Sequence, residues 1–202
     1  MDRPVELTPL LCLNCSLPIP AAAEEVAWVC AQCGQGQRLA EQTPGGRPAS
    51  ETGGSEAEDL QTGAAPGALV PLEVRYSDAV PPQGGGRPFW VAEGRVQLQR
   101  RTYGSSRSGE AQDYWSLPRR FFIPAYDCDP AEALQECLKR LAQPEELQPG
   151  PPAAFLPVTL PVEDLRALAE FVVMAVEARR RDRLREVDLE VDLSPPVLWV
   201  LP

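Results

Sequence analysis

The clearest pattern in the chain is Glu186-Val187-Asp188-Leu189-Glu190-Val191-Asp192-Leu193. Acids and aliphatics alternate strictly, as in a strand buried on one side. Ser194-Pro195-Pro196 ends it, because neither proline can donate to a ladder, and Val197 to Leu201 reads as a short apolar tail. Earlier in the chain, residues 68–76 and 88–103 read as strands, with Val91, Val96 and Leu98 among the inward positions. Gly104-Ser105-Ser106-Arg107-Ser108-Gly109 reads as a hairpin connection to a third strand over 114–126. Two stretches change to helical spacing. Asp129-Pro130-Ala131-Glu132 supplies an N-cap, a first-turn proline and an acid. The stripe Leu134, Cys137, Leu138 and Leu141 follows. A longer helix is predicted over about 161–183, with Leu165, Leu168, Ala169, Val172 and Val176 on one face.

Residues 41–66 break this periodicity. They hold no aromatic residue and one large aliphatic, Leu60, among Gly, Ser, Thr, Glu and Pro. Such a stretch buries too little apolar surface to offset its ordering entropy. The sequence therefore divides into a small N-terminal unit over 1–40, a flexible acidic linker over 41–66 and an α+β domain over 67–202. That domain is expected to hold an antiparallel or mixed sheet and two main helices.

Composition narrows the function. The 202 residues include 29 acids and 19 bases, a net charge of −10, which disfavours broad binding to nucleic acid or an anionic membrane. Histidine is absent, so Ser-His and Cys-His catalysis by this chain alone is excluded. The longest apolar run, Phe171-Val172-Val173-Met174-Ala175-Val176, falls far short of the roughly 20 residues a bilayer requires. The acidic, proline-broken start Met1-Asp2-Arg3-Pro4 does not read as a signal peptide. A cytoplasmic location is expected, where thiols stay reduced.

Four of the six cysteines form two pairs, Cys12-Leu13-Asn14-Cys15 and Cys30-Ala31-Gln32-Cys33. A spacing of two residues lets one tight turn aim both sulfurs at one ion, and two such turns supply a tetrahedral four-thiolate site. Small residues, Ser16 and Gly34, follow the pairs where the backbone must turn sharply. Glu25-Val26-Ala27-Trp28-Val29 reads as the strand that delivers the second pair, with Gln37-Arg38-Leu39 returning. Two disulfides or buried free thiols are the alternatives, and a reducing compartment disfavours the disulfides. Iron would suit the same ligands, but metal preference and availability favour zinc. A site with four protein ligands is closed, so its Zn2+ would stabilise the fold without activating water.

Over residues 9–40 the two cysteine turns and the strand between them resemble the zinc-ribbon family. The resemblance implies structural zinc in a β-hairpin, and functions ranging across protein and nucleic-acid binding. Ser16, where the second turn has a glycine, departs slightly from the pattern.

The remaining candidates are less specific. Cys128 lies between Asp127 and Asp129, whose charge would raise its pKa and blunt it as a nucleophile. Cys137 lies on an apolar stripe. Glu186, Asp188, Glu190 and Asp192 share a strand face that could meet a cation or a basic partner. Arg179, Arg180, Arg181, Arg183 and Arg185 form one basic cluster. A second set, Arg100, Arg101, Arg107, Arg119 and Arg120, is interleaved with Tyr103, Tyr114, Trp115, Phe121 and Phe122. Arginines beside aromatics could stack nucleobases, although salt bridges to the many acids are the plainer use. Without a paired proton donor and acceptor, the expectation is a non-catalytic zinc-ribbon adaptor or assembly protein binding partner proteins. A nucleic-acid-associated factor is the alternative.

Overall fold

Strand β5 (Arg87–Tyr103) organises the larger of two sheets in the computed structural model, which describes residues 9–40, 68–81, 85–103, 108–180 and 183–202. The predicted linker over 41–66 and most of the connection at 104–109 lie outside the described residues. The order of elements is β1 (Ala27–Val29), β2 (Gly36–Leu39), β3 (Leu69–Leu72), β4 (Val74–Tyr76), β5, α1 (Ser108–Trp115), β6 (Arg119–Pro124), α2 (Pro130–Ala142), α3 (Leu165–Ala178), β7 (Arg183–Leu193) and β8 (Val197–Leu201). A 3-10 turn, Val162–Asp164, leads into α3. The content is mixed α and β, as expected, with three helices among the described residues.

In the larger sheet β6 pairs antiparallel with one edge of β5 through Phe89–Pro124 to Gly94–Arg119. Along the other edge run β8, opposite residues 87–91, and β7, opposite residues 94–103, both antiparallel. Between them the Ser194 N–H donates to the Glu93 carbonyl at 2.8 Å, and Ser194 Oγ accepts from the Glu93 N–H at 3.0 Å. The hydroxyl thus keeps the ladder satisfied where Pro195 and Pro196 interrupt it. Strand β4 lies parallel to β8 and makes the sheet mixed.

The first half of β5 is buried on both faces. Trp90 and Ala92 join Phe121, Ile123 and Leu198 in the main core, beneath residues of all three helices. Phe89 and Val91 point the other way and pack with Phe122, Trp199 and Leu201, as strand alternation requires. Beyond Gly94 only one face is covered: Val96 and Leu98 are buried, while Arg95, Gln97 and Gln99 are exposed.

Several elements differ from the sequence reading. Residues 114–126 are not one strand, because Trp115 closes α1. Ala111 and Trp115, one helical turn apart, are both buried there, and Trp115 Nε1 donates to Glu177 at 2.8 Å. Residues 68–76 form two short strands in different sheets. The longer helix ends at Ala178. Residues 197–201 are an inner strand rather than a tail, with Leu198, Trp199, Val200 and Leu201 buried. Helix α2 follows the prediction: the Asp129 carboxylate accepts from the backbone N–H groups of Ala131 and Glu132.

The smaller sheet, β1-β2-β3, joins the N-terminal unit to the rest. Strand β2 pairs antiparallel with β1 and with β3. On the other side of β1, Ala27 bridges to Val158, and Val158 O accepts from the Val26 N–H at 2.9 Å. Gly36 permits the close approach of β3, because a Cβ there would collide with the Leu72 carbonyl and the Val74 side chain. Arg38 adds an ion pair to Glu163 at 3.3 Å. Residues of 67–202 therefore flank the N-terminal hairpin on both sides.

Candidate metal centre

Two turns of the same design carry the cysteines. In the first, the Cys12 N–H donates to Leu17 O and the Ser16 N–H to Cys12 O; in the second, the Cys30 N–H donates to Gln35 O and the Gly34 N–H to Cys30 O. Each bends through a left-handed residue, Ser16 at φ 58° and Gly34 at φ 74°. Serine takes this conformation at a cost of roughly 1–2 kcal/mol that glycine avoids, so the first turn needs outside support.

Gln37, fully buried on β2, provides it. Its Oε1 accepts from the Leu13 N–H at 2.9 Å, and its Nε2 donates to the Leu11 carbonyl at 3.2 Å. One amide thus holds the backbone on both sides of Cys12 against the hairpin. Glu25 acts similarly at the other end, accepting from Trp28 Nε1 at 2.8 Å and from the Ala22 N–H at 3.1 Å. Trp28, Ile19, Cys12 and Cys30 make a small core under the cysteines.

The four predicted ligands, Cys12, Cys15, Cys30 and Cys33, come together, with all sulfurs within 4.8 Å of one another. Cys12 and Cys33 are 3.5 Å apart and Cys15 and Cys30 3.6 Å. A tetrahedron with Zn–S bonds of about 2.3 Å has sulfur–sulfur edges of about 3.8 Å. A disulfide would need about 2.05 Å, and all six cysteines are free thiols. The cluster therefore has the geometry and donor chemistry to hold a metal ion, compatible with Zn2+.

Its protons are unevenly held. The Gln35 backbone hydrogen bond at Cys33, aided by the Asn14 side chain and the thiols of Cys12 and Cys15, outweighs partial burial and brings Cys33 from 9.0 down to about 6. At Cys15 the Leu17 backbone hydrogen bond pulls the same way, but burial and the shared protons of Cys30, Cys12 and Cys33 override it. Cys15 rises to about 12. Cys33 is also the exposed member of the four.

The other sequence candidates lie outside the four-cysteine cluster. Cys128 is held above its ordinary pKa by burial and by Asp127, Glu132 and Asp129. Burial pushes Cys137, packed in the core, up to about 12. Across the exposed face of the β5–β7 ribbon, Glu186, Asp188, Glu190 and Asp192 stand opposite Arg101, Gln99, Gln97 and Arg95. The acidic ladder thus faces bases and amides rather than open solvent alone. In the Arg/aromatic set, Arg100 forms a buried ion pair with Glu177 at 3.2 Å. Arg101 and Arg120 pair with Glu186 and Glu93, and Arg119 lies 3.9 Å over the Tyr114 ring. Trp115, Phe121 and Phe122 are buried. In the other basic cluster, Arg180 is held by Glu177 at 2.8 Å; Arg107 and Arg181 lie outside the described residues.

Three features of the site were not read from the sequence. Gln37 positions the first turn, Glu25 ties Ala22 to Trp28 ahead of the second, and Leu11, Leu13 and Leu17 stand 41, 47 and 46 % exposed around the first turn. The spacing of leucines between and after Cys12 and Cys15 is the signal that could have shown the last: residues inside a metal-binding turn have their backbone wrapped around the sulfurs and their side chains outside. No described helix is long and apolar enough to cross a membrane. Compared with protein-family models, curated proteins and solved structures, the chain matches none.

Proposed function

We propose that the protein is a non-catalytic zinc-ribbon adaptor, in which structural Zn2+ held by Cys12, Cys15, Cys30 and Cys33 shapes a surface for a partner protein. The observation that carries this reading is the exposure of Leu11, Leu13 and Leu17 on one metal-binding turn. Large apolar side chains grouped on a surface mark contact sites, and here the ligand turn itself sets their positions. Four thiolates leave no open coordination position, so the metal would serve shape rather than chemistry. Because the hairpin is flanked by β3 and residue 158, the leucines would be presented in a fixed orientation relative to the larger sheet.

The alternative, a nucleic-acid-associated factor, draws less support. Its arginines are largely engaged with acids or stacked on Tyr114, and three of its aromatics are buried. The test is affinity purification of the tagged full chain, its Leu13→Ser/Leu17→Ser variant and its Cys33→Ser variant. The reading expects one partner set to be lost from both variants. Partners retained by both would overturn it, and a steep salt-dependent shift of single-stranded or duplex probes would favour the alternative.

A further inference from the structure

Where α2 and α3 meet the end of β6, the surface opens into an apolar hollow of about 300 Å³, walled by Ile123, Leu134, Leu160, Leu168, Phe171 and Val172 among others. A second hollow of about 360 Å³ adjoins it and reaches Glu24 of the N-terminal unit. Tyr126, Asp127 and Thr159 wall both, so the two lie side by side as a groove with a shared wall, and neither is lined by Cys12, Cys15, Cys30 or Cys33. Its apolar rim is open to water at Phe171, which is 56 % exposed.

The two ends differ in chemistry. The hollow between the helices is mostly apolar, with Asp127 on the wall it shares with the second; the second adds Glu24, and neither is lined by a lysine or arginine. Asp129, close by, is spent on capping α2. Asp127 and Glu24 have no salt-bridge partner among the described residues, although the chain has arginines enough to supply one. Two adjoining hollows that share a wall suit neighbouring side chains of an extended chain, whose same-side residues stand roughly 6.5–7 Å apart.

We propose that this groove docks an extended segment of a partner protein, with a large apolar side chain between α2 and α3 and a lysine or arginine between Asp127 and Glu24. The groove gives the segment both its anchor and its direction. Apolar burial supplies the affinity, and the paired carboxylates reject an acidic neighbour. The site is independent of the ribbon's leucines and makes a second contact surface on the same molecule.

The test is a library of short randomised synthetic peptides bound to the full chain, with enriched sequences then measured individually. Enrichment of Leu, Ile, Phe or Met followed within a few positions by Lys or Arg is expected. Replacing that cation by Glu, or making Asp127→Lys in the protein, is expected to weaken binding about tenfold, and raised salt should weaken it too. Phe171→Ser, at an exposed position that spares the core, is expected to weaken binding comparably, whereas Leu13→Ser should change it less than about twofold. No enrichment, enrichment without a charge preference, or binding indifferent to both Asp127→Lys and Phe171→Ser would overturn the proposal. So would equal loss in Leu13→Ser, which would put the peptide on the ribbon. Two further measurements cover other occupants. A dimer in sedimentation that Phe171→Ser converts to monomer, or binding of dodecyltrimethylammonium without any peptide enrichment, would each refute a peptide groove.

Discussion

Replacing Gln37 by leucine keeps the volume of a fully buried side chain and removes only its amide. That amide satisfies the Leu13 N–H and the Leu11 carbonyl, so Gln37→Leu strips two hydrogen bonds from the turn that holds Cys12 and Cys15. A lost bond costs about 1 kcal/mol where water can reach the orphaned group, and up to about 3 where it cannot. Both bonds are only part-buried, so the lower figure applies to each, about 2 kcal/mol for the pair. On the proposed reading a metal would be bound by the ordered turn, so this loss should appear in zinc affinity as a weakening of about 30-fold. Gln37 itself touches no metal; it is a positioning residue. Competition for zinc against a chromophoric chelator measures the change, and cobalt substitution reports whether the remaining site is still tetrahedral. Gln32→Leu, at an exposed position between two ligands, is the control and should stay near wild type. A Gln37→Leu affinity within about twofold of wild type would refute the reasoning, since a twofold change is about 0.4 kcal/mol and two lost bonds cannot be that cheap.

Three further outcomes are expected. Zinc uptake near pH 7 should release protons and tighten as pH rises: Cys33, at about 6, is already ionised, but Cys15, raised to about 12, must give up its proton to the metal. Calorimetry in buffers of different ionisation enthalpy checks this, and uptake without proton release would contradict it. Alkylation at neutral pH after chelation should mark Cys33 first and leave Cys137 unmodified, since Cys137 is buried with a pKa near 12; peptide mapping gives the order. Glu177→Gln should cost about 3–5 kcal/mol, because it removes the buried charge that pairs with Arg100 at 3.2 Å and with Arg180 at 2.8 Å. Denaturant unfolding measures that loss, and a value below about 1 kcal/mol would show the pair to be dispensable.

Elements that rest on local rules were legible in the sequence. The cysteine turns depend on a spacing of two residues, α2 on its own capping residues, and β7 on strict alternation. Those decided by distant packing were not. Tyr114 and Trp115 precede Phe121 and Phe122 closely enough to look like one β-rich run, whereas the helix there depends on burial of Ala111 and Trp115 in the main core and on the bond from Trp115 to Glu177, far along the chain. Residues 197–201 are too few to show a period, and they carry none because β8 is buried on both faces. Gln37 gives no local sign of its role, since its partners lie 24 and 26 residues away.

The same distance argument bears on what the metal would hold together. Strand β1 is short, and its order depends on Cys30 at one end and on Glu25 gripping Trp28. If the sulfurs let go, β2 loses the hairpin that keeps it extended, and β3 loses β2, its strand partner among the described residues. Ala27, which belongs to the main core beside Trp90 and Val158, would then leave a gap under the larger sheet. A metal held by these four sulfurs would thus act on more than its own turns. It would fix where Leu11, Leu13 and Leu17 face, and it would hold Glu24 near Asp127 at the end of the groove beside α2 and α3. Both candidate contact surfaces are therefore set by one structural site, so partner binding should be sensitive to metal even where no partner atom approaches the metal.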